Sequence, residues 1–405
     1  MNKDNHQPVW KISAFRRILL GTVAMTVAMQ AERLAVSWFV LVQTDSVFLT
    51  AASFAIRKIP SSLIAPLAGD LCDRLPPSWV LVAATLYKAI IVLLMGWLSL
   101  SDFEQLWAVF ALAALSGIGR SFETPATQRL ITDTVPRGMI LQGVALQGTA
   151  MRAIGAFGSL ASGFAIHAIG APAVLFAGVG ALVVGAAIIG TLPATRPPQS
   201  IQQSAGLAML WESLRGLKWL LGRPVVGSLL WAAFVVEMFG FAYSALLPSV
   251  AHNVLHLGAD GLGQLTFAAG LGSMVGVAVL TAASAFPRKG LLFIGITVAY
   301  GVFIAAFAAS DLFLLSLLLV AGVGAGAGMF DTMQMTLLQQ NVPDQARGRA
   351  IGGWVFAINF AWIGQMLLGY VAELVGVEWA LGGAGGLVLL TGLAAFLVAP
   401  GLRRV

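Results

Sequence analysis

Charge is what this chain of 405 residues has least of: Asp, Glu, Lys and Arg make up 10% of it, against 59% hydrophobic residues. A water-soluble domain carries about 25% charged residues. A chain this poor in charge cannot cover a surface facing water, so the bilayer is its solvent, in keeping with a mean hydropathy of +0.89. Cysteine is nearly absent. Cys72 alone excludes an intrachain disulfide and any cysteine-based metal cluster. No Gly-x-x-x-x-Gly-Lys-[Ser/Thr] loop occurs, which argues against ATP hydrolysis. No nucleophile–base constellation is legible, and His252 and His256 at i,i+4 lack further ligands. The expectation is a protein that is not an enzyme and holds neither cofactor nor metal. Met1 to Phe15 is polar and has no small-residue cleavage site, so the first apolar run should stay in the mature chain.

What is present is a series of apolar runs rich in glycine, which numbers 46. Small residues let helices approach closely in lipid. Taking about 20 apolar residues as one span, the sequence predicts twelve: 16–42, 47–68, 79–100, 105–128, 139–167, 171–192, 224–250, 259–284, 290–309, 312–340, 347–372 and 378–399. Residues 193–222 interrupt the series. There Leu207, Leu210, Trp211, Leu214, Leu217 and Leu221 recur at helical spacing around Arg215 and Lys218, the pattern of a helix lying along a membrane surface. The expected organisation is an N-terminal six-helix bundle (1–192), a cytoplasmic linker (193–222) and a C-terminal six-helix bundle (223–405).

Lys and Arg fall in alternate connections: before span 1, after spans 2, 4, 6, 8 and 10, and at the C-terminus. The other connections hold none, only residues such as Asp45, Asp102, Asp260 and Glu373. By the positive-inside rule both termini are cytoplasmic. The pI near 9.8 is thereby explained by topology, and a nucleic-acid partner is not expected. The stretch Gly69-Asp70-Leu71-Cys72-Asp73-Arg74, followed by Pro76 and Pro77, reads as a short polar hairpin on the cytoplasmic side, with a carboxylate beside the start of a helix. The halves also repeat: Arg129 to Pro136 has a counterpart in Thr336 to Pro343, and Arg17 to Glu32 parallels Arg223 to Glu237. Two parallel six-helix repeats imply a site at their interface near the bilayer midplane.

The hairpin resembles the loop 2–3 signature of the major facilitator superfamily, a glycine and a spacer before Asp-Arg. The family usually continues with Gly and basic residues, where Leu75-Pro76-Pro77-Ser78 stand here. Val342 to Ala350 resembles loop 10–11 of the branch containing the enterobactin exporter and macrolide efflux pumps. Arg152-Ala153-Ile154-Gly155-Ala156 is similar to that branch's Arg-x-x-Gly-Pro segment, with Ala156 for proline. The resemblance implies an all-α membrane protein of the major facilitator fold, a multi-pass secondary transporter of the bacterial inner membrane working by alternating access. It further implies proton-driven export of a siderophore, or alternatively of an amphipathic drug. It assigns Gly69, Asp73 and Arg74 to a conformational latch. A non-transporting sensor on the same fold is the reading from another class.

A charge in the bilayer core costs about 2.5–3.5 kcal/mol, so each one requires a partner, a cavity or a function. Thr22, Thr26, Gln30, Arg33 and Ser37 share one face of span 1, while Glu32 points toward small residues. Ser116, Arg120, Glu123 and Thr127 form a similar face in span 4, where Arg120 and Glu123 can pair at i,i+3. Arg57 and Lys58 occupy the middle of span 2, Lys88 span 3 and Arg152 span 5, whereas Glu237 and Asp331 are the deep charges of the C-terminal half. Candidate substrate-binding residues are Gln30, Arg33, Arg57, Arg120 and Arg152. Candidate proton-coupling residues are Glu237, Glu32, Glu123 and Asp331, with Glu237 first, because a carboxylate in apolar surroundings can exchange protons near neutral pH. The cationic excess of the N-terminal half suits a substrate with negative charge or many oxygen acceptors.

Overall fold

The computed structural model describes residues 8–100, 106–193, 222–283, 286–342 and 361–404. The amphipathic stretch of the linker, most of loop 10–11 and the start of span 11 lie outside them. The helices are α1 Ser13–Thr44, α2 Val47–Arg74, α3 Pro77–Leu98, α4 Leu106–Thr134, α5 Ile140–Gly190, α6 Pro224–Val254, α7 Ala259–Ala282, α8 Lys289–Ala308, α9 Phe313–Gln340, α10 Ala361–Val375 and α11 Val377–Val398. Among the described residues ten helices are long and apolar enough to cross a membrane, and α10 is a shorter apolar one. Large apolar side chains such as Trp79, Leu141, Leu314, Trp379 and Val398 are exposed. In water that would be a liability; against acyl chains it is the contact surface.

Two glycines set breaks that no other residue would make cheaply. Gly170 has φ 83 and ψ 159 inside α5, with Pro172 following, and Gly376 has φ 97 and ψ 155 between α10 and α11. Both sit in a region of backbone space that is essentially glycine-only. The first divides α5 where the sequence separates spans 5 and 6, and the second performs the same task 206 residues later. In α6 the α-helix is interrupted by π-helical segments at Val236–Gly240 and Val250–Val254.

The stretch Gly69–Arg74 corrects one expectation. It is no hairpin loop but the end of α2. The Leu75 N–H still donates to the Leu71 carbonyl at 3.0 Å, and the connection is confined to Leu75 and Pro76, because Pro77 already opens α3. Arg74 therefore stands in the last turn of a helix, on the side its dipole favours for a cation.

The chain divides into two compact units, one of Met1–Val36 and Ile56–Gln202, the other of Ser37–Ala55 and Gln203–Val405. The end of α1 and the start of α2 around Asp45 thus group with the second unit. In that unit the Phe48 N–H donates to Glu373 Oε2 at 2.9 Å, and the Phe48 and Tyr370 rings meet edge-on at 6.2 Å. Within the first unit α3 packs against α4 and α5; within the second, α9 packs against α7 and α8, and α8 against α11.

Glycines fix these crossings. A Cβ on Gly117 of α4 would overlap the Arg57 carbonyl of α2, and one on Gly119 would press on Lys88 of α3. In α9, Gly324 and Gly328 face Ala269 and Ser273 of α7, whereas Gly322 and Gly326 face Phe303 and Tyr300 of α8. The glycine run of α9 is therefore two interleaved i,i+4 contacts, one toward each neighbour.

Candidate functional site

The first unit gathers its charges where α1, α2, α3 and α4 cross. Glu32 on α1 is 3% exposed, and its Oε1 accepts the Ser116 hydroxyl of α4 at 2.7 Å. The same oxygen lies 3.5 Å from Arg57 Nη1 of α2. Three helices are thus pinned at one carboxylate, and removing the cation would leave a buried charge uncompensated. Lys88 of α3, 2% exposed, places Nζ 2.9 Å from Glu123 Oε1 of α4. The i,i+3 spacing had suggested Arg120 as the partner of Glu123; the direct contact is to Lys88. Arg120 is exposed, with its guanidinium against the Met29 thioether of α1, and acts on Arg57 and Glu123 through space.

The polar stripe of α1 turns partly toward α5. Thr26 donates to Met151 Sδ at 2.9 Å, and the Gln30 amide donates to the Gly155 carbonyl at 2.8 Å. Gln30 is buried, so its amide nitrogen is engaged in helix packing. Arg33 and Lys58 are half-buried, and Arg152 is exposed on α5. Six cations (Arg33, Arg57, Lys58, Lys88, Arg120, Arg152) thus stand against Glu32 and Glu123, and each of these carboxylates has a basic side chain beside it. The unit carries a surplus of positive charge, with Arg120 and Arg152 its exposed members.

The second unit is built around fewer charges. Glu237 is 7% exposed and stands in the π-helical segment Val236–Gly240; such bulges are frequent at functional sites. Gly364 of α10 holds the segment in place, since a Cβ there would overlap the Met238 carbonyl. Tyr300 of α8 is fully buried, touches Phe241 edge-on at 6.1 Å, and packs against Gly240 of the π segment. Its hydroxyl has no hydrogen-bond partner among the described residues. The sequence reading passed over Tyr300; a phenol in an otherwise apolar span was the available signal. Asp331 is half-buried on α9, past the glycine run.

At the end of α2, Gly69 has open space where a Cβ would stand, Arg74 is exposed, and the side chain of Asp73 lies outside what is described. Arg129 of α4 donates to the Cys72 carbonyl at 2.8 Å, satisfying a carbonyl that the helix end leaves over. No group of three His, Cys, Asp or Glu among the described residues is placed to hold a metal ion.

Long apolar helices with charges buried among them define a multi-pass membrane protein. The chain matches the Major Facilitator Superfamily over residues 18–352, and it belongs to that family of transporters, not to any class of enzyme. It is 24% identical over 401 residues to the enterobactin exporter EntS of Shigella boydii, covering 96% of this chain and 93% of that one. It is 28% identical over 215 residues to the enterobactin exporter EntS of Citrobacter koseri. That alignment spans 53% of this chain and about half the length of the relative, 50%. The fold is shared with solved structures. The nucleoside transporter NupG superimposes with a TM-score of 0.72 at 14% identity, covering 95% of this chain and 99% of that one. A bacterial homologue of the lysosomal transporter Spinster gives 0.72 at 13%, covering 96% and 98%.

Proposed function

We propose that this transporter exports a siderophore across the bacterial inner membrane, driven by protons, through alternating access of twelve spans in two six-helix bundles with both termini in the cytoplasm. The observation that carries the reading is the likeness to the Shigella boydii exporter along 96% of the chain. The cationic excess of the first unit supports it, since Arg33, Arg57, Arg120 and Arg152, with Gln30, would meet a ligand rich in oxygen acceptors. Glu237 in its π segment is the leading proton carrier, with Glu32, Glu123 and Asp331 as further carboxylates that could titrate. Gly69, Asp73 and Arg74 form the latch that governs closure, so Asp73→Asn slows turnover more than it weakens binding.

The test is deletion of the gene in iron-starved cells. The expected result is siderophore accumulating inside and scarce in the medium. Unchanged secretion together with raised macrolide sensitivity would replace the siderophore by a drug. Flux unaffected by replacing the deep charges would point to a sensor.

A further inference from the structure

Among the described residues, two non-glycine residues have left-handed backbone, Asp45 at φ 50 and His256 at φ 52. They belong to different connections, α1–α2 and α6–α7, yet both line one cavity of about 610 Å³ within the second unit. Asp and His enter this region more readily than most residues, and here each does so at a turn that borders the same space. Trp38 and His252 face the same space with their rings edge-on at 5.5 Å, and Asn253 adds a carboxamide. It is an open depression and not an enclosed chamber, wide enough for one face of a small molecule.

From this lining we infer that the cavity binds a small organic cation. Asp45 supplies the one formal charge of the wall, and the connections 43–47 and 251–262 contain neither Lys nor Arg. A carboxylate and an indole lining one space can recognise an ammonium, the first through charge and the second through the ring quadrupole. An anion would meet repulsion from Asp45. A metal ion would need a third ligand, and no such trio is assembled. The character is opposite to that of the first unit, where basic residues outnumber acids.

Isothermal titration calorimetry of the purified full chain with benzyltrimethylammonium chloride tests this. A single saturable site is expected, weakened at least tenfold by Asp45→Asn and at least threefold by Trp38→Leu, with neutral benzyl alcohol unable to compete. Asn adopts left-handed backbone readily, so Asp45→Asn removes the charge and keeps the turn; an unchanged unfolding temperature verifies that. Absence of saturable binding, undiminished affinity in Asp45→Asn, or loss of binding in Glu237→Gln instead would each overturn the inference. So would a site that takes Ni²⁺ through His252 and His256 but not the ammonium.

Discussion

In the first unit α4 runs between α2 and α3, with Gly117 turned to Arg57 and Gly119 to Lys88; in the second α9 runs between α7 and α8, with Gly324 turned to Ala269 and Gly326 to Tyr300. The glycines recur 207 residues apart, and so do Arg120 with Ala327 and Glu123 with Phe330. The backbone crossing is therefore repeated while the side chains around it are not. Where the first unit has a Lys88–Glu123 ion pair, the second has Tyr300, and Phe330 with its ring 5.2 Å from that of Phe293. Close backbone approach admits only glycine at those points, so the crossing leaves little freedom. The polar content of the crossing is free to diverge, and it has gone to ion pairs in one unit and to aromatic rings in the other.

The comparison can be broken most forcefully at Arg57. Arg57→Leu leaves Glu32 buried without its cation and is predicted to cost about 3–5 kcal/mol, read as a lower unfolding temperature in detergent. The double substitution Arg57→Leu with Glu32→Gln should recover much of that loss; no recovery would mean that the pair contributes nothing as a pair. A smaller effect is expected from Gly324→Ala, whose new methyl must displace the Ala269 backbone, at about 1–3 kcal/mol. Gly117→Ala should fall in the same range, and a large difference between the two would show that the crossings are not equivalent. Smallest is Arg120→Gln: the exposed guanidinium is expected to affect stability by less than about 1 kcal/mol. Substrate affinity in a binding assay should nevertheless fall roughly tenfold, the loss of one charge-assisted hydrogen bond.

Much of this architecture was legible beforehand because lipid writes it into composition. Apolar length marks the long helices, and Gly170 and Gly376 stand where the helices break. The charged positions were legible too, since a buried charge stands out in an apolar run. Their partners were not. Glu123 meets Lys88 from another helix, and sequence spacing displays only neighbours on the same helix, such as Arg120. The same limit hid the engagement of Gln30 with Gly155 and the burial of Tyr300, whose neighbours come from two other helices, α6 and α9. The polar end of α2 was misjudged for a different reason: Asp and Gly favour turns locally, but helical hydrogen bonding continues to Leu75 and stops only at Pro76.

The proposed division between a cation-rich unit that would hold substrate and a glutamate that would couple protons is tested most directly at Glu237. The measurement is transport by Glu237→Gln in proteoliposomes, once with an imposed pH gradient and once as substrate counterflow without one. The account predicts that gradient-driven uptake is abolished while counterflow persists. Uptake that still follows the pH gradient in Glu237→Gln would contradict it.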